Sequence, residues 1–219
     1  MSDGEPIAII GAGGHARVVI GTLQELGLPV GAIFDDNHNI WGLAILGVPV
    51  VGGISRLAKE GYRRAIIAIG DNAARRRLSL QLRGVEWATI VHPHTWVHSS
   101  VQIGEGTVVF AGAVIQPEVR IGNHVIINTG ATVDHECVIG DYAHIAPGAH
   151  LAGRVEIGEG AFIGIGSSVI QCRKVGAWAV VGAGAAVVRD IPERVTAVGV
   201  PARVIQSSPQ GEEDGEGKE

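Results

Sequence analysis

The sequence predicts two parts of different architecture, a small α/β domain with a parallel sheet followed by an all-β parallel β-helix. Two observations carry this prediction. Strand and helix patterns alternate over residues 7–90, and from residue 91 branched aliphatic residues recur every six positions. The 33 glycines among 219 residues are about twice the usual share and fit tight turns between aliphatic strands. We therefore predict domains at residues 1–90 and 91–205, and an acidic tail at residues 206–219.

The first domain begins with a short apolar strand that runs into the glycine-rich stretch IIGAGGHARVV. Apolar residues then recur at helical spacing as far as Leu26, and Gly27 stands where a helix ends. The elements expected next are a strand at 30–36, a short helix at 54–61, an aliphatic strand at 64–70 and a helix at 72–84 with Ala74, Leu78 and Leu82 on one face. An aliphatic strand of this kind is typical of a buried parallel sheet.

The second domain is predicted from an aliphatic series that runs unbroken in steps of six from Val91 to Val187. The residue four positions after each member is mostly small or valine, and glycine often follows it. Neither the helical nor the strand period generates this pattern, whereas a hexapeptide repeat does. We expect each unit to form one side of a triangular prism. Three units then make a coil of 18 residues, and residues 91–192 make between five and six coils.

Composition and charge exclude several classes of function. The net charge of −5 is not that of a nucleic-acid-binding protein, and no run of about 18 apolar residues predicts a membrane span. Cys137 and Cys172 have neither metal-ligand nor disulfide spacing, and the start MSDGEP is too polar for a signal peptide. We therefore expect a cytoplasmic protein with no nucleic-acid or membrane partner.

The glycine-rich stretch fits the pattern G-x-G-x-x-A through Gly11, Gly13 and Ala16, which is typical of a dinucleotide site. A dinucleotide lies across two mononucleotide halves of a sheet, and residues 7–90 leave room for one half only. We therefore expect the loop to hold the phosphates of another nucleotide through backbone N–H groups at the helix N-terminus. The alternative is that these glycines only let the helix pack on the strand.

Several stretches carry a resemblance to a known group: GAGGHA, VGGISRLAKEG, AIIAIGDNAARRR, DHECVIG and the closing VGVPARVI. They resemble the bacterial sugar acetyltransferases of the sialic-acid, bacillosamine and perosamine pathways, within the hexapeptide-repeat acyltransferase superfamily. The resemblance implies a Rossmann-like N-terminal domain, a left-handed parallel β-helix, and a homotrimer with active sites between subunits. It also implies acetyl-CoA as co-substrate, no metal, and in most members acetylation of the 4-amino group of a nucleotide-linked 4-amino-4,6-dideoxysugar.

The stretch DHECVIG contains the predicted catalytic pair. The resemblance implies that His135 is the general base and that Glu136 makes it more basic. A histidine suits this role because its ordinary pKa is about 6.5. Position 153, one coil beyond His135, is glycine, so the Gly153 N–H is a candidate oxyanion donor. Asn128 lies on the preceding side, where the family places an asparagine near the sugar; stacking as a structural polar residue is the alternative for it.

The resemblance also implies two sets of binding residues. The nucleotide-sugar set comprises Gly13, Gly14 and His15 at the phosphates, Asp35 and Asp36 at the base or ribose, and Gly70 on the other side. The set that lines the CoA groove comprises His144, Ile165 and Ala183. Candidates for the CoA 3′-phosphate are Arg173, Lys174, Arg189 and Arg203, each of which could equally be a solvated surface charge.

Three other functions are weighed against this one. O-acetylation of sialic acid would use the same machinery with a different acceptor atom, and a non-catalytic sugar-nucleotide-binding protein would need no His–Glu pair. A zinc site is disfavoured because no two histidines of the chain are five residues apart. Asp71 stands where the family often has asparagine, which puts the acceptor pocket in doubt. Trp41 could stack on a base, but core packing is the more frequent role of such a residue.

Overall fold

The structure is a computed structural model that describes residues 4–207. Its N-terminal part is a six-stranded sheet with the order β3-β4-β2-β1-β5-β6, in which every pair is parallel except β3-β4. The elements are β1 (Ile7–Ile10), α1 (Gly14–Glu25), β2 (Val30–Phe34), β3 (Ala44–Ile45), β4 (Val48–Gly52), β5 (Arg64–Ile67), α2 (Asn72–Gln81) and β6 (Glu86–Trp87). The predicted parallel α/β arrangement is confirmed.

Two features of this part differ from expectation. The predicted helix at 54–61 is wrong, because only Ile54–Arg56 form a 3-10 turn. Among these eight residues Leu57 alone is fully buried, and so short a segment gains too little from packing to offset the cost of nucleating a helix. The hairpin of β3 and β4 was not predicted, and it adds β4 in parallel beside β2.

The C-terminal part is a parallel β-helix, as the six-residue period predicts. Within the described residues its repeat forms seventeen two-residue strands, and each of the first fourteen pairs with the strand 18 residues later, as Val109 does with Ile127. The strands are β7 (Ile90–Val91), β8 (Trp96–Val97), β9 (Gln102–Ile103), β10 (Val108–Val109), β11 (Val114–Ile115), β12 (Arg120–Ile121), β13 (Ile126–Ile127), β14 (Thr132–Val133), β15 (Val138–Ile139), β16 (His144–Ile145), β17 (His150–Leu151), β18 (Glu156–Ile157), β19 (Phe162–Ile163), β20 (Ser168–Val169), β21 (Lys174–Val175), β22 (Val180–Val181) and β23 (Ala186–Val187). The second residue of each strand is the predicted aliphatic position, and these residues form one continuous core.

Every third strand lies on the same face of the prism. We call the sheet of β7, β10, β13, β16, β19 and β22 the junction face, that of β8, β11, β14, β17, β20 and β23 the groove face, and that of β9, β12, β15, β18 and β21 the third face. Two further strands, β24 (Val195–Val198) and β25 (Arg203–Ser207), extend the junction face. β25 therefore includes Gln206 and Ser207 of the predicted tail, while residues 208–219 lie outside the described residues.

The corners between faces are made by residues in the left-handed backbone conformation. At the corner from the groove face to the third face these are Glu118, Glu136, Arg154 and Cys172, with φ between 57° and 64°. The backbone of a non-glycine residue is slightly strained in this conformation. The strands before and after each corner are paired with neighbouring coils, and this pairing holds the residue in place. The corner repeats every 18 residues, so side chains from successive coils stand above one another.

The N-terminal part packs on the junction face. Ile90, Val108, Phe110 and Ile126 of that face join the apolar cluster beneath α1. Arg75 of α2 is 1% exposed, and its guanidinium donates to the carbonyl oxygens of His124 (3.1 Å), Tyr142 (2.7 Å) and Gly70 (3.0 Å). The buried residues of α2 are thus Asn72 and Arg75, whereas the predicted Leu78 and Leu82 are only partly buried.

Candidate active site

The glycine loop between β1 and α1 contains glycines of two kinds. Gly11 has φ +98°, and a Cβ there would lie 2.6 Å from Ile69 Cγ1, so packing requires glycine at this position. Gly13, Gly14 and Gly70 have no atom within 4 Å of a Cβ position, so the chain's own packing does not require glycine there. Gly13 caps α1 without a side-chain hydrogen bond, which leaves N–H groups of the first turn facing open space.

Asp35 and Asp36 follow β2 at the edge where all the parallel strands have their carboxyl ends. Asp35 accepts from the N–H of Ala12 and of Asn37, each at 2.8 Å, so both its oxygens bind backbone and fix the loop. Asp36 accepts from the Ile54 N–H through Oδ1 at 2.9 Å, and its Oδ2 has no partner within residues 4–207. Of the two carboxylates, Asp36 is therefore the freer to bind a ligand.

His15, His144 and Asn128 form a polar cluster at the junction between the two parts. Asn128 Nδ2 donates to His144 Nε2 at 3.1 Å, and the His15 and His144 rings lie 6.4 Å apart. Burial, with the nearby charge of Arg75, lowers the pKa of His15 to about 4 and that of His144 to about 3. Both rings are therefore neutral at neutral pH. His15 Nε2 and His144 Nδ1 are buried and make no hydrogen bond of good geometry among the described residues, although the Gly70 backbone lies close enough to His144 to raise its pKa against the larger effect of burial. A buried polar atom without a partner calls for an explanation, and a bound ligand would supply one.

Gly70 borders the same region. It lines a cleft of about 400 Å³ together with Phe162, whose ring packs edge-on against His144 at 5.1 Å. The loop glycines, Gly70, His15, Asn128 and His144 therefore lie along one side of the molecule, where the N-terminal part meets the junction face.

His135 and Glu136 lie at the opposite corner of the prism, between the groove face and the third face. His135 Nδ1 donates to Glu136 Oε2 at 2.9 Å, which leaves Nε2 free to accept a proton. The Asp134 carboxylate accepts from the His135 N–H at 2.7 Å and fixes the turn. This turn forms a corner of the prism, between β14 and β15.

Gly153 lies directly beneath the His135 ring. A Cβ at Gly153 would be 2.5 Å from His135 Nε2, so any side chain there would displace the imidazole. The Gly153 N–H has no acceptor within residues 4–207. A free N–H beside the nitrogen of a general base has the arrangement expected of an oxyanion donor.

Arg154 completes this corner and is not among the residues predicted from the sequence. Its Nε donates to Glu136 Oε2 at 3.0 Å, so that oxygen is shared between His135 and Arg154. The two hydrogen bonds, that of His135 foremost, lower the pKa of the Glu136 carboxyl. The signal was available, since residue 154 is one coil beyond residue 136.

A groove of about 480 Å³ runs along the groove face and borders this corner at Asp134 and Ala152. Ile165 and Ala183 lie on the other edge of the groove face, one coil apart, and Ile165 is 59% exposed. Of the basic candidates, Arg173 pairs with Asp190 at 3.4 Å and Lys174 with Glu156 at 2.7 Å. Within residues 4–207 no three His, Cys, Asp or Glu side chains form a metal-binding group.

The predicted site residues thus fall into separate groups in one chain. The nucleotide set and His144 lie on the junction side, and His135, Glu136 and Gly153 lie at the corner opposite the junction face. Within the described residues, no hydrogen bond or ring contact connects the two groups.

Each of the two parts of the chain matches a known protein family. Residues 6–82 match the PglD N-terminal domain. Residues 100–135, 118–153 and 136–169 match the bacterial transferase hexapeptide (six repeats) family.

Two solved structures resemble the whole chain. PerB from Caulobacter crescentus, in complex with CoA and GDP-perosamine, is 45% identical with a TM-score of 0.87, over 91% of this chain and 97% of that chain. The acetyltransferase domain of PglB from Neisseria gonorrhoeae FA1090, in complex with acetyl coenzyme A, is 38% identical with a TM-score of 0.86, over 92% and 100% of the two chains.

A curated relative covers less of the chain. UDP-N-acetylbacillosamine N-acetyltransferase of Bacillus subtilis (strain 168) is 43% identical over 112 residues, which are 48% of this chain and 51% of that protein. The chain spans about half or less of the length of the curated relatives it matches. The identity to PerB over nearly its full length is the decisive comparison. The chain therefore belongs to the bacterial sugar N-acetyltransferases of the perosamine and bacillosamine type, within the hexapeptide-repeat acyltransferase superfamily.

Proposed function

We propose that this protein transfers the acetyl group of acetyl-CoA to the 4-amino group of a nucleotide-linked 4-amino-4,6-dideoxysugar. The observation that carries the proposal is the corner of His135, Glu136 and Gly153, which combines an oriented base with a free N–H. The relatives with bound CoA and GDP-perosamine or acetyl-CoA support the choice of substrates. Acetyl-CoA is a co-substrate here, and no metal takes part in the proposed chemistry.

The reaction begins when the sugar amine attacks the thioester carbonyl of acetyl-CoA. His135 Nε2 accepts the proton that the amine loses, and Glu136 holds the Nδ1 side and stabilises the imidazolium. The Gly153 N–H donates to the oxyanion of the tetrahedral intermediate. The C–S bond then breaks, His135 returns the proton to the CoA sulfur, and the amide and free CoA are released.

The nucleotide sugar binds along the junction side of the N-terminal part. The open space above Gly13 and Gly14 admits the diphosphate to the first turn of α1. The unpartnered Asp36 oxygen is available to a ribose hydroxyl, and Asp35 shapes the loop from below. The free nitrogens of His15 and His144 give the sugar two polar contacts, with Asn128 and Gly70 beside them. His144 thus serves the sugar as well as the CoA groove to which the resemblance assigns it.

The pantetheine arm of CoA lies against exposed apolar surface of the β-helix. Ile165 and Ala183 supply such a surface in adjacent coils. Because Arg173 and Lys174 are already paired, Arg189 and Arg203 are the better candidates for the 3′-phosphate.

We propose a homotrimer with active sites between subunits. Since the nucleotide set and His135 lie on opposite sides of one chain, a single substrate reaches both only if they come from two copies. The cellular location we propose is the cytoplasm, which supplies acetyl-CoA and keeps Cys137 and Cys172 as the free thiols seen here.

Subunit complementation tests the shared site. A His135→Ala chain is expected to be inactive, and a Gly14→Glu chain is expected to have little activity at nucleotide-sugar concentrations that are far below saturation for this variant. Unfolded and refolded together in equal amounts, they should regain about a quarter of the wild-type activity, because that fraction of sites combines an intact loop with an intact histidine. Absence of any recovery, with trimers formed, contradicts sites built from two subunits.

The function itself is tested by thiol release from acetyl-CoA. The acceptors are UDP-, GDP- and dTDP-linked 4-amino-4,6-dideoxysugars and free sialic acid, and His135→Ala is the matched variant. Turnover with one amino sugar that is lost in the variant supports the proposal. Turnover with sialic acid alone establishes O-acetylation instead, and inactivity with every acceptor favours a non-catalytic sugar-nucleotide-binding protein.

A further inference from the structure

Trp41 lies outside the core, contrary to the expectation that core packing is its role. The residue is 46% exposed, and it follows a 3-10 turn at His38–Ile40 in the segment between β2 and β3. An indole with this exposure loses much of the apolar burial that normally retains tryptophan in a fold. Its position therefore calls for an explanation other than packing.

The ring is nevertheless fixed in place. The indole N–H donates to the Asp35 carbonyl oxygen at 2.8 Å, and the His38 ring packs edge-on against it at 6.4 Å. The Asn37 side chain accepts from the Asn39 N–H at 3.1 Å and caps the turn that carries the indole. Because the N–H is already bonded, the exposed part of the side chain offers a ligand only apolar ring surface, and aromatic surface of this kind binds a base by stacking.

The indole also lies at the edge of the sheet where the proposed substrate binds. Its Cζ2 atom is 3.6 Å from the Cβ position of Gly53, which follows β4, and the same Cβ position is 3.1 Å from Asp36 Oδ1. The strand order places the crossover between β1 and β5, so the phosphates lie there, beside Gly13 and Gly14. A nucleoside that extends from these phosphates across β2 reaches Asp36 first and Trp41 beyond it.

We propose that Trp41 is the stacking surface for the base of the nucleotide sugar, and that it helps to set which base is accepted. This inference rests on the proposed function, because it assigns one residue to the substrate of that reaction. Stacking tolerates every base, but it grows with the area of overlap, so it favours a purine over a pyrimidine. A side chain at Gly53 would begin between Asp36 and Trp41, so glycine at this position leaves the space between them free.

The test is isothermal titration of the full chain with GDP, UDP, dTDP and inorganic pyrophosphate, the last of which has no base. Trp41→Leu should weaken the three nucleotides about 10-fold or more, with GDP affected most, and leave pyrophosphate binding unchanged. Trp41→Phe, which keeps an aromatic face, should recover most of the affinity. The KM for acetyl-CoA should stay the same in both variants.

Trp96→Leu is the matched control, since Trp96 is 49% exposed on the groove face. It should bind all four probes as the wild type does. Nucleotide affinity that survives Trp41→Leu overturns the Trp41 proposal alone, and so does an equal loss of pyrophosphate, which would mean a structural role. A wild-type chain that binds none of the three nucleotides overturns this proposal and the proposed function together.

Discussion

The carboxylate of Glu136 serves two partners at once. Its Oε2 accepts from His135 at 2.9 Å and from Arg154 at 3.0 Å. The Arg154 guanidinium therefore fixes the carboxylate that in turn orients the His135 ring. Arg154 is a positioning residue that acts through Glu136.

Replacing Arg154 by Gln should lower kcat by about fivefold at most and leave the KM values unchanged. The guanidinium fixes the Glu136 carboxylate that orients His135, and an exposed ion pair of this kind contributes no more than about 1 kcal/mol. Arg76→Gln, which removes the exposed pair with Glu159, is the control that should leave kcat unchanged. Steady-state kinetics measure both variants, and an unchanged kcat in Arg154→Gln would show that this arginine only fills the corner.

Replacing Gly153 by Ala should reduce kcat about 100-fold or more. The new Cβ would stand 2.5 Å from His135 Nε2, so the imidazole must leave its position, and misplacement of about 1 Å is enough for such a loss. The thermal midpoint should hardly change, because Gly153 is not in the left-handed conformation that alanine disfavours. Steady-state kinetics beside a melting curve check both statements. A variant with full kcat would rule out the proposed contact between the two residues.

At the scale of elements, helix α1 packs on the sheet with one face and presents its N-terminus to the proposed ligand. Its buried face, formed by Ala16, Val19, Ile20 and Leu23, holds it on the sheet, while its first turn has no acidic residue and no side-chain cap. A helix that leaves its N-terminus bare is less stable by itself than a capped one. The bare terminus is accounted for if a phosphate occupies it.

Replacing Gly14 by Glu should therefore separate stability from binding. A carboxylate in the first turn favours the helix through its dipole, so the thermal midpoint should be kept or raised. The same charge repels a diphosphate, so nucleotide-sugar affinity should fall at least about tenfold. Gly21→Glu, later in the same helix and also with no atom within 4 Å of its Cβ position, is the matched control. The affinity of each variant for the nucleotide sugar is measured by titration calorimetry. Equal affinities for the two variants would contradict the proposal that this loop binds the phosphates.

At the scale of the whole molecule, one buried arginine joins the two parts of the chain. Arg75 bonds carbonyl oxygens on α2's own loop and on the corners of two coils, while Asn72 donates to the Gly160 carbonyl oxygen at 2.9 Å. Burial lowers the pKa of Arg75 to about 10, so it stays charged at neutral pH. The charge is stabilised by carbonyl dipoles.

Replacing Arg75 by Met should lower the free energy of unfolding by about 3–5 kcal/mol, because several buried carbonyl oxygens lose their donor together. Arg76→Met, at the next and exposed position, should change it by less than about 0.5 kcal/mol. Urea denaturation, followed by tryptophan fluorescence, measures both. Equal stability of the two variants would show that apolar packing alone holds the junction.

The junction should also make stability depend on pH. Burial lowers the pKa values of His15 and His124 to about 4 and that of His144 to about 3, against about 6.5 when unfolded. Between these values the unfolded chain binds more protons than the folded one, so stability is full above pH 6.5 and falls as the pH is lowered. The slope is at most about 1.4 kcal/mol per pH unit for each histidine.

His124→Asn tests this dependence. Asparagine tolerates the left-handed conformation of this position, φ +53°, and does not titrate. Between pH 7 and pH 5 the thermal midpoint should decrease less with falling pH in the variant than in the wild type. An equal decrease of the thermal midpoint in both proteins would show that His124 contributes nothing to the pH dependence.

Much of the fold could be predicted because it follows from short repeating patterns in the sequence. A step of six residues fixes which side chains point inward, and a step of 18 fixes which residues stack, so the coils follow from the sequence alone. The same arithmetic identified Gly153 from His135, and it would have found Arg154 from Glu136. None of the roles proposed for these residues follows from the spacing, which gives position and not chemistry.

The two architectures and the positions of the aliphatic core residues of the β-helix could be read from the sequence alone, whereas the hairpin of β3 and β4 and the role of residues 54–61 could not. Only the tertiary structure decided that Arg75 is buried, that Trp41 is exposed, and that His144 meets His15. The physical reason is that these properties depend on partners distant in the chain: the carbonyl oxygens that Arg75 binds at the corners lie 49 to 68 residues away. A local pattern reports the period of a backbone, whereas the burial of a polar group depends on whether folding brings it enough hydrogen-bond partners.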